Sequence, residues 1–365
     1  MLRIGLTGLP ECGKTLLFRA LTGVATHVGA AAKREVHVGQ AKVPDPRLEE
    51  LNRVFQKPKA IHAIVEYVDV AGFSAGDARR SGFRESATSW EDQFLGDIRT
   101  CDALLHVLRC FDSPGLSPAN PLNDFRSAEA EFILSDQIIL EKRQARLQKE
   151  YQKHPTPEAK AEFELLERCL SALNQEKPLR SISLSQADKP FLKAYAPLSI
   201  KPQLVVLNVS EDDVRRESEL IQSLRPQIES PNVHLSAACA TLEMEIAQLD
   251  PDSARLFMEE LGIESSALDR LVRASYELLG LISFFTVGDA EVRAWTIRRD
   301  LTAREAAGVV HTDMERGFIR AEVVNFADFQ PRGGFAACRH DGVLHLHGKE
   351  YMVQDGDIIQ FRFAV

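Results

Sequence analysis

Four residues near the N-terminus have the types and the spacing that bind phosphate groups, namely Gly8, Gly13, Lys14 and Thr15. They match the pattern G-x-x-x-x-G-K-[ST], in which glycines let main-chain N–H groups curl around phosphates. The Lys14 ammonium places a charge between the β- and γ-phosphates, and the Thr15 hydroxyl is a ligand for Mg²⁺. We predict a phosphate-binding loop made of Gly8, Leu9, Pro10, Glu11, Cys12, Gly13, Lys14, Thr15 and Leu16.

The elements around this loop are those that a phosphate site needs. An apolar strand is predicted from Leu2 to Thr7, and a helix is predicted to start at Thr15, which brings a positive dipole end to the phosphates. A chance glycine turn after a strand is the alternative, and the order strand, loop, helix argues against it. Cys12 is either a small loop filler or an oxidisable thiol whose pKa is lowered by the helix N-terminus.

A second nucleotide element is predicted at the end of the apolar strand Ile64 to Val70. The run Asp69-Val70-Ala71-Gly72 fits the pattern D-x-x-G. Asp69 is predicted to hold Mg²⁺ together with Thr15, directly or through water. The Gly72 N–H is predicted to sense the γ-phosphate, so that Lys14 and Gly72 are the predicted catalytic residues.

The base of the nucleotide is expected at the end of another apolar run, QLVVL, which leads into Asn208-Val209-Ser210-Glu211. Guanine-specific GTPases carry N-K-x-D there. This chain lacks the Lys and has the longer Glu211 in place of Asp, which makes adenine an alternative to guanine. The predicted base pocket consists of Asn208, Val209, Glu211, Ser236, Ala237 and Ala238, the last three because they resemble a loop that closes over the base. Helix capping by the Asn and Ser is the structural alternative.

The elements that position these residues indicate a P-loop α/β fold, because apolar strands alternate with helices and predict a mostly parallel sheet. Residues 124–151 are rich in helix formers, and Thr156-Pro157 is a helix start. We predict an antiparallel helical arm of coiled-coil type, either a solvated lever or a docking arm. Short β-rich runs after residue 281 predict a β-grasp module. The predicted domains are 1–122 with 196–280 for the nucleotide, 123–195 for the arm, and 281–365.

The composition excludes some classes of function. The chain has 365 residues, a net charge of −9 and a pI of about 5.7, which argue against a protein that coats nucleic acid, and we expect no DNA partner. No apolar run is long enough for a membrane helix, and no signal peptide is recognised. We expect reduced cysteines, a cytoplasmic location and a monomer. A local set of arginines permits RNA phosphate contact or is a solvated face; it consists of Arg293, Arg298, Arg299, Arg316 and Arg320.

The chain resembles the YchF family of Obg-related P-loop ATPases over nearly its whole length. The resemblance rests on GLPECGKTLLFRALT, VPDPRLEEL, VDVAGF, LLHVLRCF, LNVSEDD, LDRLVRASYELLGLISFFTVGDAEVRAWTIRRDLTAREAAGVVHTDMERGFIRAEVV and VQDGDIIQFRF. It implies a P-loop domain, an inserted helical arm and a C-terminal TGS domain. It also implies ATP preferred over GTP, slow hydrolysis and association with ribosomes.

Two departures from that family, and one from Ras-like enzymes, bear on hydrolysis. Lys33 stands where family members usually carry a Thr in switch I, and a Lys does not ligate Mg²⁺. The family His after R-C-F is absent, and Phe73 follows Gly72 where Ras-like enzymes place a catalytic Gln. The leading hypothesis is a switch that binds ATP with Mg²⁺, hydrolyses it slowly and docks on ribosomes or RNA. The alternatives are a nucleotide-sensing module with little turnover and a true GTPase in which Glu211 replaces the usual Asp.

Overall fold

The structure, a computed structural model, describes residues 2–24, 36–70, 95–263 and 265–364. The chain divides into two compact units. The first comprises Met1–Gly39 and Glu66–Leu268, and the second comprises Gln40–Val65 and Asp269–Val365. The strands and helices of these units confirm the predicted fold class, an α/β P-loop fold with an inserted helical arm and a C-terminal mixed β sheet.

The regular elements are numbered here in chain order. The strands are β1 (Arg3–Thr7), β2 (Val36–Lys42), β3 (Lys59–Ile61), β4 (Ile64–Val70), β5 (Ala103–Arg109), β6 (Gln203–Asn208), β7 (Val233–Ala238), β8 (Leu281–Val287), β9 (Glu291–Arg298), β10 (Phe318–Asn325), β11 (His345–His347) and β12 (Asp357–Phe363). The helices are α1 (Lys14–Thr22), α2 (Pro46–Phe55), α3 (Pro121–Lys153), α4 (Pro157–Leu173), α5 (Lys189–Tyr195), α6 (Glu217–Ile228), α7 (Ala240–Ile246), α8 (Pro251–Leu261), α9 (Ala267–Leu278), α10 (Ala303–Val310), α11 (Thr312–Arg316), α12 (Phe326–Phe329) and α13 (Phe335–His340). Two 3-10 helices cover Leu179–Ser181 and Glu211–Arg216.

The sheet that carries the predicted nucleotide residues has the strand order β2-β4-β1-β5-β6-β7. The pairings from β4 through β1, β5, β6 and β7 are all parallel. Every residue of β5 and of β6 is buried, as expected for central strands that are covered on both faces. Because these strands are parallel, their carboxyl ends meet at one edge, which is where such sheets bind ligands.

The arm is a hairpin of α3 and α4, as the sequence predicts. Thr156 caps α4 by accepting a hydrogen bond from the Ala159 N–H, with Pro157 at the first helical position. The helices are antiparallel, since Gln137 bonds Asn174 while Arg143, later on α3, bonds Glu162, earlier on α4. The seam between them is apolar and includes Ile133, Leu140, Leu147, Leu165, Leu166, Cys169, Leu170 and Leu173.

The second unit is a mixed sheet with the order β11-β10-β12-β8-β9-β3. The β8–β9, β10–β12 and β10–β11 pairings are antiparallel, while β12–β8 and β3–β9 are parallel. Helix α10 packs on it through Ala303 and Ala306, and begins with the predicted capping box of Thr302 and Glu305. Phe55 at the end of α2 stacks on Phe329, with ring centroids 5.5 Å apart.

The segment Gln40–Val65 belongs to this second unit, although it precedes Asp69 in the chain. Its strand β3 pairs with β9, from Lys59 opposite Glu291 to Ile61 opposite Arg293. The sequence alone gave no sign of this pairing, and the predicted domain boundaries remain predictions. Within the described residues, no helix combines the length and the apolarity that a membrane span requires.

Candidate functional site

The loop between β1 and α1 contains three residues with positive φ, which curl its backbone so that N–H groups face the inside of the loop. Gly13, the residue before α1, has φ 94° and lies in the left-handed region. Gly8 has φ 140°, and the non-glycine Glu11 has φ 61°. No side chain caps the N-terminus of α1. The first N–H groups of this helix are therefore directed at the loop, where an anion would satisfy them.

Lys14 is fixed at the centre of this loop. Its side chain is only 5% exposed. Its Nζ donates hydrogen bonds to the carbonyl oxygens of Gly8 at 2.9 Å and of Leu9 at 2.7 Å. The Cys12 Sγ lies 3.8 Å from the same nitrogen. The ammonium is thus held inside the turn of the loop, the place where a lysine meets transferable phosphates.

Two glycines allow neighbouring backbone and side chains to approach the loop closely. A Cβ atom on Gly8 would lie 2.3 Å from the Val107 carbonyl oxygen, and one on Gly13 would lie 2.2 Å from Asn208 Nδ2. Distances under about 3 Å are not tolerated by real side chains. Val107 on β5 and Asn208 on β6 therefore lie directly against the loop, and glycine is required at both positions.

Asn208 joins the loop to the end of the neighbouring strand. Its Nδ2 donates to the Cys12 carbonyl oxygen at 2.8 Å, and its Oδ1 accepts from the Ala240 N–H at 3.0 Å. The side chain is 4% exposed. The Asn208 amide therefore ties the phosphate loop to the first residue of α7. The sequence predicts a base contact for Asn208, with helix capping as the alternative, and does not indicate this bridge between two distant parts of the chain.

Asp69 and Thr15 form a pair that suits a divalent cation. Asp69 is 1% exposed, and its Oδ1 is buried without a hydrogen bond from the described part of the chain. Burial raises the pKa of Asp69, opposed by a hydrogen bond from the Thr15 hydroxyl and by the charge of Lys14. A buried carboxylate with one unused oxygen, beside a hydroxyl, is the kind of oxygen donor set that Mg²⁺ takes. The predicted metal ligands, Thr15 and Asp69, thus fit Mg²⁺.

Cys12 is a buried filler of the loop rather than an activated thiol. It is 1% exposed, and burial raises the pKa of its thiol although Lys14 lowers it. The expectation that a helix N-terminus lowers this pKa is therefore wrong, because desolvation outweighs the nearby positive charge.

The residues predicted to face the base lie at the same edge of the sheet but differ in exposure. Val209 is buried and packs in the core of the first unit. Glu211 is exposed at the start of a 3-10 helix, and Ser236 is half-buried. Ala237 and Ala238 are buried at the end of β7, and the Ala238 carbonyl accepts from the Val209 N–H at 3.0 Å. Their contact with a base remains a prediction.

Several predicted residues lie outside the part of the chain that the structure describes. They are Lys33, Gly72 and Phe73. The roles predicted for them stay predictions. His37, whose charge also lowers the pKa of Asp69, is a neighbour of the site that the sequence did not indicate.

Comparisons with known proteins show which family the chain is similar to. A family model described as "YchF-GTPase_C: Protein of unknown function (DUF933)" matches residues 281–364. The "Ribosome-binding ATPase YchF" of Bacillus subtilis (strain 168) is 39% identical over 372 residues, which cover 100% of both chains. The protein of the same name from Escherichia coli O157:H7 is 36% identical over 369 residues, covering 100% of this chain and 99% of that one.

A solved structure shows the same architecture. It is titled "Structure of the Schizosaccharomyces pombe YchF GTPase", is 27% identical and superposes with a TM-score of 0.83 over 99% of this chain and 97% of that one. Full-length relatives at 36% to 39% identity, a matching C-terminal module and the geometry of the phosphate loop lead to one conclusion. The chain belongs to the YchF family of P-loop NTPases.

Proposed function

We propose that the chain is a nucleotide-dependent switch that binds ATP with Mg²⁺, hydrolyses it slowly and associates with ribosomes. The observation that carries the proposal is the meeting of an uncapped helix N-terminus, a buried Lys14 and the Thr15–Asp69 pair at one edge of the sheet. Relatives that align over the full length are named ribosome-binding ATPases, which supports both the nucleotide and the partner.

On this proposal the chain's own residues bind the phosphates and the cation. The N–H groups from Gly13 onward would bind the phosphates, and the Lys14 ammonium would contact the β- and γ-groups. Thr15 and Asp69 would hold Mg²⁺, which would supply positive charge to the phosphate oxygens. Asn208 keeps the loop in register with the strand ends, so the cradle is formed before the ligand arrives.

Hydrolysis would be an in-line attack of water on the γ-phosphate. Lys14 and the loop N–H groups stabilise the negative charge that develops on the phosphate oxygens. The Gly72 N–H is proposed to contact the γ-phosphate. Phe73 follows where a water-orienting Gln would stand, so no side chain there can orient the water, and turnover is expected to be slow. Single-turnover release of phosphate measures this step, and its complete absence would favour the nucleotide-sensing alternative.

ATP is proposed over GTP because the Lys and Asp that read guanine are replaced by Val209 and Glu211. The fission-yeast relative, however, is titled a GTPase, so the comparison of the two nucleotides is the decisive experiment. Isothermal titration of the full chain with ATP and with GTP, both with Mg²⁺, is expected to show tighter binding of ATP. Binding of GTP tenfold tighter, about 1.4 kcal/mol, would support the GTPase alternative instead.

Association with ribosomes, the second part of the proposal, has a test of its own. Co-sedimentation of the full chain with ribosomes, with and without ATP, is expected to place the protein in the pellet. Absence from the pellet in both states would contradict this partner while leaving the proposed nucleotide binding intact.

A further inference from the structure

A cavity of about 700 Å³ lies in the first unit, away from the phosphate loop. Its lining includes Asp102, Pro202 and Asn232, each of which directly precedes a strand of the parallel sheet. The cavity therefore opens at the amino ends of β5, β6 and β7. The phosphate loop and Asp69 lie at the carboxyl ends of the same sheet, so the two sites occupy opposite edges.

Positive charge dominates the lining of this cavity. It comes from four side chains on three parts of the chain, namely Arg99, Lys189, Lys193 and Lys201. Asp102 is the acidic residue among the described lining residues. Arg99 is neutralised by Asp136 at 2.8 Å, whereas the three lysines form no ion pair within the part of the chain that the structure describes. In a chain of net charge −9, this cavity is thus a local site of net positive charge.

Lys201 places one of these charges in the wall of the cavity. It is 7% exposed, and its Nζ donates to the carbonyl oxygens of Arg99, at 2.9 Å, and of Cys101. Burial lowers its pKa. The charges of Asp102 and Asp136 oppose this shift, but neither carboxylate forms an ion pair with Lys201 among the described residues, so the buried ammonium has lost hydration without a counter-charge in direct contact. An anion in the cavity would supply that counter-charge.

Lys189 and Lys193 extend this charge to the surface. Both are exposed on α5, four positions apart, and therefore lie on the same face of the helix. Apolar residues such as Leu184, Pro197 and Ile200 complete the lining, and none of the described lining residues is aromatic. A site for a free nucleotide or a single-stranded base would be expected to offer an aromatic stacking surface. Lysines without stacking groups suit phosphates that are recognised by charge alone.

We propose that this cavity and the adjacent face of α5 bind the phosphodiester backbone of structured RNA. This surface would contact ribosomal RNA, and naming the ribosome as the source of that RNA rests on the ribosome association proposed above. It does not depend on the nucleotide site, since no residue of the cavity belongs to the phosphate loop or the predicted base pocket.

The test compares two double variants of the full chain with the unmodified protein. Lys189→Gln with Lys193→Gln removes two exposed charges from the proposed site. Lys160→Gln with Lys349→Gln removes the same charge from positions that already face Glu164 and Glu350. Anisotropy of a fluorescein-labelled RNA duplex gives the affinity at several salt concentrations between about 50 and 200 mM.

The expected result is about tenfold weaker RNA binding for the Lys189, Lys193 variant, and a salt slope smaller by about 2, one unit for each lost phosphate contact. The Lys160, Lys349 variant should bind as the unmodified protein does. Equal affinity and equal salt slope for all three proteins would overturn the proposal. A change in the binding of inorganic pyrophosphate with unchanged RNA binding would also overturn it, in favour of a small-anion site. ATP titration on the same samples separates this outcome from a failure of the proposed nucleotide binding.

Discussion

At the residue scale, Gly13 occupies a position where a Cβ atom does not fit, and this gives a first prediction. Gly13→Ala adds the cost of a left-handed φ and pushes Asn208 away from its partners. We expect it to lower the free energy of unfolding by about 3 kcal/mol, about 1 for the backbone and about 1 for each lost hydrogen bond. ATP binding should be lost with it. Urea denaturation and ATP titration measure both effects.

The control for Gly13 is Gly115, which has φ 86° and no atom within 4 Å of a Cβ. Gly115→Ala should cost only the backbone term of about 1 kcal/mol. If both variants lose the same stability, Asn208 is not the residue that makes glycine necessary at position 13.

Asp69, the proposed Mg²⁺ ligand, is expected to lower the stability of the folded chain. Its pKa is raised by burial, so the folded state holds the proton more tightly than the unfolded state does. The stabilisation from this proton is present at low pH and lost as pH rises through the raised pKa. At neutral pH the buried charge therefore costs stability, and we expect Asp69→Asn to melt at a higher temperature than the unmodified protein without nucleotide or metal.

The same variant should lose the benefit of Mg²⁺. We expect ATP to bind unmodified protein at least tenfold more tightly with Mg²⁺ than with EDTA, and Asp69→Asn to show no such difference, because the carboxylate that would hold the cation is gone. A variant that melts earlier, yet keeps the full effect of Mg²⁺, would contradict the assignment of Asp69.

His106 on β5 predicts a pH dependence. It is fully buried, packs beside Phe125 and Phe132, and its pKa is lowered to about 3 by burial. Between that value and the ordinary pKa near 6.5, the unfolded chain binds a proton that the folded chain does not, so stability falls as pH falls. His106→Leu should remove about 2 kcal/mol of the loss between about pH 7.5 and pH 5.

Urea denaturation at the two pH values checks this prediction. His234→Gln is the control, because His234 is exposed and forms no ion pair among the described residues, so its substitution should leave the pH dependence unchanged. An equal loss of stability on acidification in His106→Leu and in the unmodified protein would show that this histidine is not the group responsible.

At the scale of elements, the arm should depend on its apolar seam rather than on its outer face. Leu166 on α4 is fully buried, whereas Ile138 on α3 is 58% exposed. We expect Leu166→Ala to cost about 2 to 5 kcal/mol and Ile138→Ala less than about 0.5 kcal/mol. Hydrogen exchange of the α3 and α4 amides measures whether the loss is local to the arm. Comparable losses from both substitutions would contradict the hairpin seam.

Also at this scale, helix α1 differs from the helices that begin with a side-chain cap. Asp45, Asn120 and Thr156 each cap a helix whose first residue is a proline, whereas Gly13 gives α1 no side-chain cap. The uncapped N–H groups belong to the one helix start that the sequence pattern assigns to phosphate. Helices α5, α6, α7 and α13 also start without a cap from the preceding side chain, so the missing cap favours a phosphate at α1 only together with the sequence pattern.

At the scale of the whole molecule, the sequence predicted the parallel sheet, the arm and the mixed β module, because long apolar runs and helix starts are local signals. It did not predict that Gln40–Val65 folds with the C-terminal residues. That arrangement depends on β3, a strand of 3 residues whose partner Glu291–Arg293 lies far along the chain. Arg47 donates hydrogen bonds to Asp45 and Asp355 in the same unit, and no sequence motif around Arg47 predicts the distant partner Asp355.

The sequence also predicted those residues of the site that lie in short local patterns, and it missed a role that depends on contacts between distant parts of the chain. Lys14, Thr15 and Asp69 follow from short patterns next to strand ends, and the structure places them together. The role of Asn208 as a bridge was missed, because it requires the Cys12 carbonyl of the phosphate loop and the Ala240 N–H at the start of α7 to approach the same amide. The strand order β1-β5-β6-β7 brings those groups to the same edge of the sheet.

The central claim is that the loop from Gly8 to Thr15 binds the phosphates of ATP through Lys14. The most direct measurement is isothermal titration of ATP with Mg²⁺ into the unmodified chain and into Lys14→Ala, with circular dichroism to establish that the variant is folded. The account predicts that the folded variant binds ATP at least tenfold more weakly, a loss of about 1.4 kcal/mol or more. Equal affinity in the two proteins would contradict it.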